Sequence, residues 1–269
     1  MMIELTSTPI ILMVILGVAG MIIPVINVLR RERGSSTFYG AIAFGALLLA
    51  LGFVIFQFYD DNLAPAAVFS EDVLADDGFG SFFAIAMLIV SIMTVAGSFN
   101  YMRKRSNPAI YFSLILLSSI GMVLIAFATD LVMLFVAWEL MSIPTYILAG
   151  FNKKNPSSNE AAIKYFLFGA LSSGIIIYGI SLAYGITGST NIGDVIYGFA
   201  NLSPDMLPLG LLAIGMFIAG FGFKMGLVPF HMWLPDTYEG SPPTITALLA
   251  AGTKKAGFAA ALRIIIMGA

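Results

Sequence analysis

The sequence predicts an all-α membrane protein with about eight transmembrane helices, and three observations carry that prediction. Of the 269 residues, 59% are hydrophobic and 10% are charged, against about 45–50% and 25% in an ordinary soluble domain. The apolar residues come in long runs of about 20, the length a helix needs to cross the hydrocarbon core, rather than in the weak alternation of a membrane barrel. The charges between those runs sort by sign from one connection to the next. Together these features exclude a soluble globular protein, a disordered chain, a collagen and a nucleic-acid binder. Cysteine is absent, so the chain itself brings no disulfide, thiol chemistry or iron–sulfur ligation. With a single histidine, His231, no chain-encoded zinc or haem site is expected, and no cofactor is assigned.

Eight apolar segments are read at roughly 8–29, 38–58, 80–101, 110–128, 131–150, 161–186, 206–233 and 243–267. The first is expected to be a true span. It is long, only Glu4 precedes it among charged residues, and it runs into Arg30, Arg31 and Arg33, unlike a signal peptide with its basic leader. No connection is long enough to fold alone. Spans 1, 3 and 5 are followed by Arg30, Arg31 and Arg33, by Arg103, Lys104 and Arg105, and by Lys153 and Lys154. Spans 2, 4 and 6 are followed by Asp60, Asp61, Glu71, Asp72, Asp76 and Asp77, by Asp130, and by Asp194 and Asp205, with no Lys or Arg. The positive-inside rule places the basic connections in the cytoplasm and the N-terminus outside. The expected location is the cell membrane of a prokaryote. Asp236 and Glu239, after span 7, run against the trend, but acids count for little in that rule.

Six charged residues fall in or at the ends of spans: Glu139, Lys164, Lys224, Lys254, Lys255 and Arg263. A charge at the bilayer centre costs about 2.5–3.5 kcal/mol on insertion scales. Such residues persist where they pair, face a wet cavity or move protons. Glu139 lies eight residues into span 5, roughly 12 Å along the axis, too deep for a short side chain to reach the surface. A structural ion pair or a protonated, hydrogen-bonded carboxyl is the alternative to a functional pair. Lys224 sits in Gly220-Phe-Gly-Phe-Lys-Met-Gly-Leu-Val-Pro229. Pro229 cannot donate to the carbonyl of Met225 and clashes with it, so a broken helix with free carbonyls is expected beside the lysine. Irregular backbone at that depth survives only beside protein or a wet cavity.

Lys254 and Lys255 lie about ten residues into span 8 and point about 100° apart, so one serves a cavity and the other a partner or surface. Lys164 follows Glu160 at i+4, where a surface pair competes with a transport role. Arg263 reads as an anchor or partner contact. His231 is read first as an interfacial hydrogen-bonding residue and second as a proton carrier. Several intramembrane lysines, one buried glutamate, a broken helix and no metal ligands describe a charge-relay path. At about 4 Å and an effective dielectric near 20, a Glu–Lys pair interacts by about 4 kcal/mol. A change of a few ångströms in that distance is enough to load or unload a proton.

Three stretches carry a family resemblance: Trp138-Glu-Leu-Met-Ser-Ile-Pro144, Glu160-Ala-Ala-Ile-Lys-Tyr-Phe166, and Phe223 through Lys224, His231 and Glu239 to Pro242. Over about residues 75–260 the chain resembles the antiporter-like proton-translocating membrane subunits of respiratory complex I and its relatives. It is most similar to the N type, which Thr253-Lys-Lys-Ala256 also favours. The resemblance implies that Glu139 is the fifth-helix glutamate and Lys224 the lysine of the broken seventh helix. Lys254 becomes the eighth-helix lysine that passes protons along the membrane, Lys164 the sixth-helix lysine, and His231 the motif histidine. Lys255 has no counterpart.

The resemblance further implies two inverted five-helix repeats, of which spans 4–8 form the first. The expected division is a three-helix region over 1–105 and the first repeat over 106–269. The second repeat is not among these residues, so a fragment or half of a split subunit is expected, holding a half-channel. The implied partners are other membrane subunits of a complex I-like assembly, the bilayer and protons, with no nucleic acid. The implied function is proton translocation within an NADH- or F420H2-dependent quinone or methanophenazine oxidoreductase. A multisubunit cation/proton antiporter and a structural membrane scaffold are the alternatives.

Overall fold

A computed structural model describes residues 7–30, 35–59 and 73–267. Glu4, Arg31, Arg33, Asp60, Asp61, Glu71, Asp72 and the last two residues lie outside the described residues. Eleven α-helices account for nearly all of the described chain: α1 Thr8–Leu29, α2 Ser36–Tyr59, α3 Gly78–Met102, α4 Pro108–Phe127, α5 Leu131–Ala149, α6 Pro156–Thr187, α7 Ile192–Ala200, α8 Leu207–Met225, α9 Leu234–Gly240, α10 Pro243–Leu248 and α11 Lys254–Met267. Seven of these, α1 to α6 and α8, are long and apolar enough to cross a membrane. The eighth expected span is one stretch in which α10 and α11 are joined by a π-helical turn, Leu249–Thr253. The chain is an all-α membrane protein.

The aspartates read as loop charges start several of these helices. Asp77 accepts from the Gly80 N–H at 2.7 Å and opens α3. Asp130 accepts from Val132 at 2.8 Å and Met133 at 3.0 Å and opens α5. Asp76 accepts from the Thr8 N–H at 2.7 Å, at the start of α1. Each carboxylate satisfies a backbone donor that the helix leaves free, and lies at the positive end of the helix dipole. Arg103 and Lys153–Lys154 follow the opposite ends of α3 and α5. The sorting of charge therefore follows helix direction.

Helix α4 forms the centre, with sixteen of its twenty residues buried. Small and hydroxylated residues let its neighbours approach, as membrane helix packing requires. Ser113 Oγ donates to the Gly20 carbonyl of α1 at 2.6 Å and Ser119 Oγ to Ser91 Oγ of α3 at 2.8 Å. A Cβ at Gly121 would meet the backbone of Met141 in α5. Helices α1, α2, α6 and α8 turn large apolar side chains outward, among them Leu49, Phe56, Leu171 and Ile218.

Two elements differ from the sequence expectation. The seventh span does not continue to 233: α8 stops at Met225, with Gly226 left-handed at φ 71° and turns running to α9. The stop comes three residues before Pro229, at the residue type that tolerates this conformation. The short helix α7 falls in what reads as a loop. Asn191 caps it through the N–H groups of Gly193 and Asp194, and Ile192 and Val195 are buried against the bundle. Its two glycines and Asp194 mask this pattern in the sequence.

Candidate functional site

The end of α8 faces α5 and α6, and Lys224 projects between them. It is 1% exposed. Its Nζ donates to Ser142 Oγ of α5 at 2.9 Å and to Tyr165 Oη of α6 at 3.0 Å. Tyr165 Oη and Thr145 Oγ1 are 3.2 Å apart, and Thr145 donates to the Ser142 carbonyl at 2.7 Å. The rings of Tyr165, Tyr146 and Trp138 surround the ammonium position at 5.3, 5.9 and 6.0 Å. That is the range in which an aromatic face attracts a cation. As the last-turn residue of α8, Lys224 also lies at the negative end of the helix dipole.

The break after α8 is more satisfied than the sequence suggests. The Leu227 N–H bonds the Gly222 carbonyl at 2.8 Å and the Gly226 N–H bonds the Phe223 carbonyl at 3.0 Å. Phe223 also accepts from Trp233 Nε1 at 3.1 Å. Trp233, fully buried, stacks on Tyr165 with centroids 4.7 Å apart and an interplanar angle of 13°. The turn thus reaches back and braces the tyrosine that holds Lys224.

Glu139 lies one turn before Ser142 on α5 and is half-buried. Its Oε1 accepts from Ser173 Oγ of α6 at 2.5 Å. No ion pair joins it to Lys224 among the described residues. Lys254 begins α11 directly after the π-helical turn and is half-buried. Its Nζ lies 5.3 Å from the Tyr238 ring and beside Gly226, where a Cβ would approach it to 3.3 Å. The stem of Lys224 in turn lies against Gly257 of α11. Lys255 points outward, exposed.

Lys164 and His231 are not part of this pocket. Lys164 pairs with Glu160 at 2.6 Å and with Asp236 of α9 at 2.5 Å. That pair also accounts for an acid on the side where bases prevail. His231 is exposed in the turn after α8. Arg263 does not reach for the surface: it is 3% exposed, pairs with Asp77, donates to the Ala126 carbonyl and lies 4.5 Å from the Phe79 ring. The residues that sequence reasoning missed are Ser142, Tyr165, Ser173 and Trp233. Ser142 stands at i+3 from Glu139, a spacing that marks the same helix face, and was the one available signal.

An antiporter-like helical bundle with a buried lysine at a helix break is the class that this geometry defines. The family model described as "NADH:quinone oxidoreductase/Mrp antiporter, TM" matches residues 128–268, and the chain belongs to that family. F420H2 dehydrogenase subunit N of Methanosarcina mazei is 44% identical over 200 residues, which cover 74% of this chain and 40% of that one. NADH-quinone oxidoreductase subunit N of Desulfitobacterium hafniense is 40% identical over 269 residues, covering 98% and 51%. Among solved structures, a chain of respiratory complex I from Thermus thermophilus with bound aureothin superposes with a TM-score of 0.77 at 32% identity, covering 94% of this chain and 52% of that one. The chain spans about half the length of the relatives it matches.

Proposed function

We propose that this chain supplies one proton-translocating half-channel of a membrane subunit in a complex I-like oxidoreductase, as an N-type subunit. In this reading it lies in a prokaryotic cell membrane with its N-terminus outside, against other membrane subunits of the complex. Residues 106–269 form the translocating repeat and residues 1–105 a three-helix flank. The observation that carries the reading is Lys224: a fully buried lysine held by two hydroxyls, one of them on Ser142 a turn along α5 from Glu139, and against the helix that bears Lys254.

Lys224 takes and gives the proton in this reading. Ser142 and Tyr165 hold its Nζ in one position, and a shift toward Glu139 provides the second. Lys254, beside Gly226, is the next site along the membrane. Lys164 and His231 stand at the approach to the site, Lys164 at the acidic cluster with Asp236. The chemistry asked of the chain is proton transfer alone; electron transfer belongs to other subunits. The test is Lys224→Met in the assembled complex, with electron transfer and proton uptake measured in membranes. Loss of about a hundredfold in turnover, the lower range for a positioned proton-transfer group, supports the relay. Normal pumping by an assembled complex overturns it.

A further inference from the structure

On the side of the bundle where α1 and α3 end, the loops enclose a cavity of about 430 Å³. Asn27, Ser36, Thr37, Arg103, Arg105 and Asn107 line it, and no carboxylate is among the lining residues that are described. Two helices, α2 and α4, begin at this cavity. The first N–H groups of α2 and, since Pro108 has none, those of Ala109 and Ile110 in α4 have no partner within the helix, and both dipoles are positive here. Ser35 Oγ accepts from the Phe38 N–H at 3.2 Å, which leaves the N–H groups of Ser36 and Thr37 to another acceptor. At the start of α4 the Asn107 side chain makes no capping bond, and its backbone is left-handed at φ 60°.

Side chains add to this surplus of donors. Ser36 is 9% exposed, and its hydroxyl has no hydrogen-bond partner. Tyr39 Oη donates to Asn27 Oδ1 at 2.9 Å, which leaves the Asn27 amide N–H groups available. Arg105 is braced over the Tyr101 ring at 4.1 Å. Arg103 makes no ion pair among the described residues. Donors, two guanidinium groups and two helix N-termini with no acceptor among the described residues are the chemistry that receives a phosphate.

We propose that this cavity binds a phosphate group, borne by the headgroup of an anionic phospholipid or supplied as free phosphate. The lipid is favoured by Val28 and Leu29, which are 73% and 77% exposed immediately before Arg30 and give an acyl chain an apolar strip to lie along. The inference is independent of the proton relay.

The experiment uses the assembled complex, stripped of lipid in detergent and titrated with phosphatidylglycerol, with bound lipid counted by native mass spectrometry. Arg103→Gln with Arg105→Gln is expected to weaken retention at least about tenfold, two basic side chains near a lipid surface each counting about 1 kcal/mol. Ser36→Ala removes one donor and is expected to weaken it about threefold. Lys153→Gln with Lys154→Gln, on the other basic connection, is expected to retain the wild-type level. Displacement of phosphatidylglycerol by millimolar inorganic phosphate, absent in the double arginine variant, also supports the site and assigns it to free phosphate. Resistance to phosphate with loss in the arginine variant assigns it to the lipid. Equal retention by the wild type and the arginine variant overturns the proposal, as does equal loss in the lysine control.

Discussion

Glu139 stands one turn along α5 from Ser142, which accepts from Lys224, yet the glutamate and the lysine bond to different partners. The carboxylate accepts from Ser173 at 2.5 Å, while the lysine donates to Ser142 and Tyr165 at 2.9 and 3.0 Å. A structural salt bridge would hold the two charges together. Each charge instead has a neutral partner, which in the relay proposed above it exchanges for the other.

Lys224→Arg distinguishes a relay from a fixed cation. Arginine keeps its charge but does not release a proton at accessible pH. Turnover is expected to fall nearly as far as in Lys224→Met, about a hundredfold, in complexes whose assembly is checked first. An arginine variant that pumps at the normal rate returns Lys224 to a structural role.

Glu139→Gln keeps the volume and a group that can accept from Ser173, but removes the charge to which Lys224 would move. Assembly should persist while turnover coupled to pumping slows by about tenfold or more. Unchanged rate and proton-to-electron stoichiometry would make Glu139 a packing residue.

Tyr165→Phe preserves the stack on Trp233 and deletes only the hydroxyl that accepts from Lys224. A hydrogen bond to a charged group contributes about 1.5–3 kcal/mol, so coupled turnover should change by about tenfold with little effect on assembly. Ser142→Ala, which deletes the other acceptor, provides the matching measurement. Normal coupling in both single variants would show that the hydroxyls do not hold the lysine.

Arg263→Gln should destabilise the fold by about 3 kcal/mol, because it strands Asp77 without its buried partner. Adding Asp77→Asn should recover part of that loss, because asparagine removes the stranded charge and still caps α3. Thermal unfolding of the detergent-solubilised complex reads both. Additive losses in the double variant would mean that the pair contributes no coupling.

A reporter fused after Arg105 or Lys154 should report cytoplasm, and one near Asp76 or Asp194 the outside. A cytoplasmic signal at Asp76 would remove the topology proposed here.

The span pattern was legible because long apolar runs and sorted charges are local features. The segments read at 8–29 and 243–267 match the observed limits of α1 and of α10 through α11. What stayed hidden depends on contact between distant residues. No local signal ties Tyr165 to Lys224, 59 positions apart, or Arg263 to Asp77, 186 apart. The end of α8 was misplaced for a different reason. Pro229 is the stronger breaker by propensity, yet Gly226 reaches the left-handed conformation first and closes the helix with two backbone bonds. Glu139 and Lys224 were singled out because isolated charges in apolar runs are costly. Serines and tyrosines carry no such penalty and do not stand out.

The lysines of α8 and α11 sit in reciprocal notches. Leu234 and, behind it, Lys254 Nζ lie where residue 226 has no side chain, and Met225 with the stem of Lys224 lies where residue 257 has none. The end of α8 and the start of α11 therefore touch at both glycines. Gly257→Ala would press on Met225 Cγ at 3.3 Å and meet the Lys224 stem at an ordinary 3.5 Å, while Gly226→Ala would run into Leu234 Cδ1 and strain the backbone at φ 71°. A methyl group at position 257 is thus a wedge against Met225, the neighbour of Lys224, one that shifts the contact between α8 and α11 without replacing any titratable group.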